Sequence, residues 1–376
     1  MKIGKKLALA IISVVVVGVS ILISVVLNTA HKEINGLINN ELHNLAEQEA
    51  EIVRSWLDDY LTIAQTLSDT MTEGLSSLEK ERRRSVFNMM LRGVLVNNDD
   101  IDAVGTCWEP DALDGMDALY ANTPGTDATG RFISYWAQEG DKVSLTPFLN
   151  YDVPGKGDYY LAAKRSGKET VMDPYTYQNG GKEKLVTSVT APVIINGEMK
   201  GAVIIDIGIN DIQEKILEIS PYEGSIAAVF SNGGLVSGHF ESSHIGKPMR
   251  ESEKELAGPY LEELIRAVKE GKSISFTNYV PGYKENMFFI TVPFIMGKTT
   301  TPWSLLIGIP NKVITAPVVR MLKICAPIVT GMLALIVVAV IFLARSIAKP
   351  LTAMMTTFNE VGEGDFTRSL DIKRKD

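Results

Sequence analysis

The chain is 376 residues long, enough for two modest domains together with membrane segments. Its net charge is −8 and no basic tract lies between its two apolar stretches, which argues against nucleic acid as a partner, because phosphate contacts need clustered Lys and Arg. There are two cysteines, Cys107 and Cys325, the second inside an apolar stretch, so the chain has neither a disulfide framework nor a Cys/His cluster of metal-ligand spacing.

The first predicted element is Leu7 to Leu27, a run of 21 residues without a charge. At about 1.5 Å per residue it spans the roughly 30 Å hydrocarbon core of a bilayer. Lys2, Lys5 and Lys6 place residues 1–6 in the cytoplasm by the positive-inside rule. The apolar run is too long for a signal peptide and Asn28-Thr29-Ala30 is a poor cleavage site, so the helix is expected to stay uncleaved. Residues 28–79 then read as a stalk. Ile34 to Leu78 predicts one long helix, with Leu45, Ile52, Trp56, Ile63 and Leu67 on one stripe. That stripe packs on the following domain, or on a second copy near the membrane, or on both at different turns.

From residue 80 the pattern becomes mixed. Arg82 to Leu95 predicts a shorter helix that ends at the turn cluster Asn97-Asn98-Asp99-Asp100. Short β-rich runs follow at Ala103–Trp108, Phe132–Ala137, Lys184–Val193 and Lys200–Ile209, and Asn196-Gly197 joins the last two as a hairpin. A helix over Asp211–Ile219 closes this membrane-distal module, residues 80–220. The membrane-proximal module, residues 221–315, repeats the theme. It has strands at Ser225–Phe230, Leu235–His239, Ile274–Tyr279, Asn286–Val292 and Ser304–Ile309, and an amphipathic helix over Glu253–Glu270. The fold class is therefore α+β: a long N-terminal helix followed by two antiparallel-sheet modules, flanked by two transmembrane helices.

Ile324 to Leu343 is the second uncharged run, within an expected transmembrane helix over residues 320–344. Arg345 and Lys349 follow it. Two crossings return the chain to the cytoplasm and leave residues 28–323 outside or in the periplasm of a plasma-membrane protein. Residues 345–376 form a relay. Lys349-Pro350 starts a new helix in which Ile347, Leu351, Met354, Phe358 and Val361 make a heptad seam, and Gly362 and Gly364 end it. A short seam cannot be buried alone, so a parallel homodimer is expected. The chain ends at Asp376 before a second relay helix, and it reads as a fragment of a longer protein.

Two blocks of residues resemble known families. Lys349-Pro350-Leu351 with Gly362-Glu363-Gly364-Asp365-Phe366 is similar to the first half of a HAMP relay. Tyr151-Asp152-Val153-Pro154-Gly155-Lys156-Gly157-Asp158-Tyr159-Tyr160, then Asp173-Pro174-Tyr175, then Gly201-Ala202-Val203-Ile204-Ile205-Asp206-Ile207, resembles a double Cache sensor domain of PAS-like modules. Their order is that of methyl-accepting chemotaxis receptors, and the same input half also occurs on histidine kinases and diguanylate cyclases. The resemblance implies a receptor for a small extracytoplasmic molecule, an amino acid, an amine or a carboxylate, with downstream signalling proteins reached through a cytoplasmic module. Amino-acid sensors of this family hold their ligand with an Arg-x-Trp-Tyr block, a Tyr-x-Asp and a later Asp. Tyr159 and Tyr160 match the aromatic pair, Tyr175 the next tyrosine and Asp206 the last aspartate. Gly157 stands where the arginine is expected and Tyr177 where the second-block aspartate is expected, and Arg131 is the available substitute for the arginine.

The ligand-site candidates are Arg131, Tyr135, Trp136, Tyr151, Asp152, Asp158, Tyr159, Tyr160, Asp173, Tyr175 and Asp206. Asp206 ends an apolar run, where a carboxylate is costly unless paired; it suits an ammonium group, or a capping role before the next helix. The tyrosines serve as cage walls or as core, Trp136 as a ligand contact or as core, and Arg131 as an anion clamp or a strand start. Asp158 and Asp173, beside Gly157 and Pro174, bind ligand or shape turns. No nucleophile elbow, Cys–His pair or phosphate loop occurs, so no enzyme and no cofactor are expected. The histidines, His31, His43, His239 and His244, are too scattered in sequence for a metal site. A non-sensing membrane anchor is the remaining class, and it predicts no saturable small ligand.

Overall fold

The computed structural model describes residues 3–139, 142–179 and 182–362. It divides into two units: residues 41–313, and the chain ends 1–40 with 314–376. In chain order the elements are α1 (Ile3–Ser77), α2 (Lys80–Val96), β1 (Ala103–Trp108), β2 (Ser134–Glu139), β3 (Lys142–Pro147), α3 (Asp158–Ser166), β4 (Thr170–Val171), β5 (Tyr175–Asn179), β6 (Lys182–Ile195), β7 (Glu198–Gly208) and α4 (Ile209–Leu217). They continue as β8 (Ile226–Phe230), β9 (Val236–His239), α5 (Met249–Ser252), α6 (Lys254–Ala257), α7 (Leu261–Glu270), β10 (Ile274–Val280), β11 (Glu285–Phe294), β12 (Trp303–Pro310) and α8 (Asn311–Gly362). The α+β class and the two antiparallel sheets agree with the sequence reading.

The distal sheet has the order β3-β2-β1-β7-β6-β4, with β5 also paired to β6. Its long hairpin β6–β7 turns at Asn196 and Gly197, which both have positive φ, 52° and 81°, as a two-residue hairpin with a right-handed twist requires. Side chains alternate between its faces. One face carries Ala103, Cys107, Ile133, Tyr135, Ala202 and Ile204, packed with Tyr159 and Tyr160 of α3. On the other face, Trp108 stacks on Phe87 of α2 with ring centroids 6.3 Å apart. The proximal sheet has the order β10-β11-β12-β8-β9. Phe276, Met287, Phe289 and Leu306 cover one of its faces together with Leu256, Leu264 and Val268 from the helices. On the opposite face α4 lies so close that a Cβ on Gly238 would sit 2.7 Å from Ile216.

Three expectations change. The buried stripe of α1 in the outer unit is Leu42, Ala46, Ala50, Val53, Leu57, Tyr60, Leu61, Ala64, Leu67 and Met71. Of the predicted stripe, Leu67 is buried and Ile52 is 49% exposed. The buried row lies one position round the helix from the predicted one, since large apolar residues stand on both. The predicted helix over Glu253–Glu270 is broken between α6 and α7 at Gly258, φ 53°, followed by Pro259, which has no N–H to donate. Neither α1 nor α8 is interrupted at a membrane boundary: α8 passes through Pro317, Pro327 and Pro350, so no new helix begins at Lys349-Pro350. Among the described residues one helix, Asn311–Leu343, is long and apolar enough to cross a membrane. The expected first span contributes the shorter apolar stretch Ala10–Val25, and the side chains on either side of it fall outside the described residues. Of the HAMP-like motif, Glu363 to Phe366 also lie outside them.

Between β1 and β2 the chain makes a long excursion, and Arg84 of α2 pins it. Its guanidinium donates to Asp114 at 2.7 and 3.1 Å, to Asp117 at 2.6 Å and to the Gly130 carbonyl at 2.8 Å, all buried. The ring of Tyr120 lies 4.2 Å below it. Removing the cation leaves two uncompensated buried carboxylates. Arg84→Met is therefore expected to lower the unfolding free energy by about 3–5 kcal/mol, measured by denaturant titration of the purified chain at neutral pH.

Candidate ligand site

The site is set by strand register. Asp206 on β7 pairs with Ala103 on β1 and with Ser188 on β6, so its side chain emerges on the face that carries Tyr135. Asp206 is 1% exposed. Tyr135 donates its hydroxyl to Asp206 Oδ2 at 2.8 Å, and Ser188 donates to Oδ1 at 2.6 Å. The Tyr175 hydroxyl lies 2.7 Å from Ser188 Oγ. Since the Ser188 proton goes to Asp206, Tyr175 is the donor in that pair, and a chain of donors runs from Tyr175 through Ser188 to the carboxylate. Among the described residues no Lys or Arg forms an ion pair with Asp206.

Aromatic rings wall this carboxylate. Tyr177 sits 5.1 Å from Tyr135, and Tyr159 stacks on Tyr175 at 6.4 Å and meets Tyr177 edge-on at 6.2 Å. Phe148 closes the group, 4.8 Å from Tyr135 and 5.1 Å from Tyr159. The Tyr159 hydroxyl is tied to the Leu149 carbonyl at 2.6 Å, and Thr190 holds the Tyr159 carbonyl at 2.7 Å, so the start of α3 is fixed on the sheet. Burial first, and then the charge of Asp206, hold the hydroxyls of Tyr135, Tyr175 and Tyr177 above the usual phenol range. They remain neutral donors at physiological pH. Burial pushes Asp206 up to about 6; the Ser188 and Tyr135 hydrogen bonds oppose the shift and the charge of Asp102 adds to it. The arrangement is a buried, ionisable acid lined with π-faces, which is chemistry suited to an ammonium cation.

The sequence candidates divide among several places. Tyr135, Tyr159, Tyr175 and Asp206 come together. Arg131 does not join them: its Nε donates to the Trp108 carbonyl at 2.9 Å, its Nη1 to Asp152 at 2.8 Å, and its guanidinium lies 4.6 Å over Tyr151. Trp108 is five residues along β1 from Ala103, the partner of Asp206, so roughly 17 Å of strand separates the two anchors. Tyr151 turns to Asp127 at 2.6 Å. Tyr160 donates to Glu109, which also pairs with Lys164 at 2.6 Å. Trp136 is next to Tyr135 on β2 and therefore emerges on the opposite face, where it donates to Asn88 of α2 at 3.0 Å. Asp158 pairs with Arg165 at 3.1 Å, and Asp173 accepts the Gly233 N–H at 2.9 Å, which ties the distal module to the proximal one. Both line a separate recess of about 460 Å³ with Asn232 and Gly233.

Sequence reading missed Phe148 and Ser188, and it counted Tyr177 as a departure from a pattern when it is a wall of the cluster. Alternation along β5 was the available signal, since Tyr175 and Tyr177 share a face. Distance in sequence also concealed a second group. His239, His244 and Glu253 place one donor atom each within 4.8 Å of one another.

Two antiparallel-sheet modules are carried on one long helix, with a polar and aromatic cluster in the distal one. The Cache domain model of the double type matches residues 30–318, and the HAMP domain model matches residues 342–376. The chain belongs to the Cache domain family and carries a HAMP match after it, and its relatives of this kind are methyl-accepting chemotaxis proteins. It is similar to the methyl-accepting chemotaxis protein TlpQ of Pseudomonas aeruginosa, 23% identical over 325 residues, which cover 78% of this chain and 44% of TlpQ. It is also similar to PscA of Pseudomonas syringae pv. tomato, 21% identical over 380 residues, 99% of this chain and 52% of PscA. The chain thus spans about half the length of these two relatives. Among solved structures, the extracellular domain of mmHK1S-Z3, described as a histidine kinase, superposes with a TM-score of 0.65 at 25% identity, covering 76% of this chain and 98% of that one. The periplasmic sensory domain of the Campylobacter jejuni chemoreceptor Tlp1 shares the fold, with a TM-score of 0.57 at 15% identity, covering 74% of this chain and 96% of that one. These relatives are receptors and sensor domains.

Asp206 leaves a stability signature. Its folded pKa of about 6 lies above the ordinary 3.8, so the folded state holds a proton that the unfolded state releases between those values. Stability therefore falls as pH rises from about 4 to about 6, and the full cost of the charge, roughly 3 kcal/mol, is present above that window. Asp206→Asn removes this dependence. The unfolding free energy of the variant minus that of the wild type, from denaturant titrations, should be more positive at pH 7.5 than at pH 4 by an amount of that order. A flat difference would show that Asp206 carries no such burden.

Proposed function

We propose that this chain is the input half of a two-pass chemoreceptor of the plasma membrane, whose distal Cache module binds a small ammonium-bearing molecule, an amine or an amino acid, at Asp206. The observation that carries this reading is the buried carboxylate of Asp206, which has hydroxyl donors and tyrosine walls but no cationic partner among the described residues. A bound ammonium supplies the missing charge, and the rings of Tyr159, Tyr175 and Tyr177 supply cation–π contacts of about 0.5–2 kcal/mol each. Tyr175 is the partly exposed member of the group and marks the side of entry. Arg131, neutralised by Asp152 and anchored at Trp108, is not needed for the ammonium end. The reading assigns no catalytic residue and no cofactor.

In this proposal residues 7–27 and 320–344 cross the membrane, 28–79 form the stalk, 80–220 and 221–315 are the two sensor modules outside, and 345–376 begin the relay. The lysines before residue 7 and the apolar helix Asn311–Leu343 support that topology. The relay works as a parallel homodimer, and a cytoplasmic module passes the signal to downstream proteins. Leu351 and Phe358 support the dimer: they are exposed apolar positions seven residues apart on α8. A second reading, the input half of a histidine kinase, is favoured by the TM-score of 0.65 with the mmHK1S-Z3 domain.

Two experiments test the proposal. Thermal-shift screening of the full chain in detergent micelles against amines, amino acids and small carboxylates should give an ammonium-bearing hit. Its affinity should fall at least thirtyfold in Asp206→Asn, the equivalent of about 2 kcal/mol for a buried charge pair, and should persist in Arg131→Ala. Unchanged affinity in Asp206→Asn places the pocket elsewhere. In membranes, Leu351→Cys should form a disulfide with its own counterpart in a second copy; crosslinking confined to the opposite face of α8 rejects the seam.

A further inference from the structure

The proximal module contains a cluster that the sensor reading does not use. His239 is the last residue of β9, His244 lies on the turn Ser242–His244, and Glu253 sits between α5 and α6. His239 and Glu253 are fully buried and the His244 side chain is 22% exposed. His239 Nε2 is 3.3 Å from Glu253 Oε2, and His244 Nδ1 is 3.3 Å from Glu253 Oε1. The two imidazoles lie side by side with centroids 4.3 Å apart. All four of these atoms are buried and none has a hydrogen-bond partner. A fully buried carboxylate and two ring nitrogens that converge without making hydrogen bonds are costly as they stand, because each has given up water.

We propose that His239, His244 and Glu253 form a binding site for a divalent transition-metal ion of the zinc class, set in the membrane-proximal module. Imidazole nitrogen and carboxylate oxygen are the donors such an ion prefers, at about 2.0–2.2 Å. A tetrahedron with bonds of that length has edges of about 3.4 Å; the two His–Glu distances match it, each through its own carboxylate oxygen, and the three donors lie within 4.8 Å of one another. The far nitrogens of both histidines are held by one residue, Glu241. Its carboxylate lies 3.5 Å from His244 Nε2, which leaves Nδ1 to face the metal. His239 Nδ1 lies 2.9 Å from the Glu241 N–H and 3.2 Å from the Glu241 carbonyl, so it finds a partner in either tautomer and leaves Nε2 to the ion. Carboxylate and carbonyl partners behind ligating histidines are how metal sites orient their rings. The three protein ligands leave a fourth coordination position for a solvent or exogenous donor.

The site is also built into the frame of the module. Gln213 of α4 accepts the His239 N–H at 2.8 Å and donates to the His239 carbonyl, so His239 cannot shift without α4. A bound ion joins β9 to the start of α6 and fixes both against α4. It follows that metal raises the thermal stability of the chain through these three residues.

The test uses the full chain, free of any histidine tag, in detergent micelles. After chelator treatment it is incubated with Zn(II), desalted, and its metal counted by elemental analysis; Co(II) serves as a spectroscopic substitute. The wild type and the control His43→Ala should each retain one ion per chain, melt at a higher temperature with metal, and give the visible absorption of tetrahedral Co(II). His244→Ala, at the most exposed ligand, and the isosteric Glu253→Gln should bind at least about tenfold more weakly, the smallest loss seen even for outer-sphere partners. Failure of the wild type to retain metal would show a metal-free His–Glu pair and overturn the proposal. Equal retention by His244→Ala and Glu253→Gln would do the same by moving the ion elsewhere.

Discussion

The small and apolar stripe along α1, from Leu42 to Met71, is the surface on which both outer modules are built. A single helix touches each module through a specific bond as well as through packing. Ser68 donates to the Pro192 carbonyl on β6 at 2.9 Å, and Asp58 accepts the Gly297 N–H of the proximal module at 2.9 Å. Leu42, Leu57, Leu61 and Met71 bury large side chains along the stripe, and Ala46, Ala50 and Ala64 fill the positions between them. One helix is thereby bonded to both modules. The modules are therefore mechanically joined before any ligand is considered.

That joint has a second strand to it. Asp206 lies within the buried part of β7, which runs on to Gly208, and α4 begins three residues after Asp206 at Ile209. Ile212 and Ile216 of α4 press on Gly238 of β9, and Gln213 holds the backbone of His239. A change in charge or spacing at Asp206 thus lies on a short, continuous route into the proximal sheet, whose last strand β12 runs without interruption into α8. The route consists of regular elements packed through β-branched and polar side chains. Contiguity is a structural fact; a signal along it belongs to the proposal of a receptor.

Much of this was legible in the residues. Helices α2 and α4, the hairpin at Asn196-Gly197 and most strands of both sheets follow from periodicity and turn chemistry, which are local. The burial stripe of α1 lies one position round the helix from the predicted row, at Ala46, Val53, Leu57 and Ala64, because large apolar residues stand on both rows and periodicity alone does not choose between them. The break at Gly258-Pro259 was locally signalled and was outweighed by the amphipathic pattern around it. Trp136 was grouped with Tyr135 because the two are adjacent, although adjacency on a strand sends side chains to opposite faces. Ser188 became part of the site only through its pairing with Asp206, 18 residues away. The His239, His244 and Glu253 group needed the turn after β9 to fold back. Register and tertiary return are what a single sequence conceals.

The placement of Arg131 bears most on what the proposed receptor would select. An amino acid carries its two charges a few ångströms apart, and a site for it needs an acid and a base at matching separation. Here the distal sheet holds its buried acid near one end of β1 and its buried guanidinium near the other, and the guanidinium already faces Asp152. The carboxylate end of an amino acid bound at Asp206 would have to be met by neutral donors, and of the tyrosine hydroxyls nearby those of Tyr135, Tyr175 and Tyr159 are committed to Asp206, Ser188 and the Leu149 carbonyl. A ligand with a cationic end and an otherwise uncharged body meets no such conflict. Of the two ammonium-bearing classes the proposal admits, the geometry of this sheet therefore favours the amine.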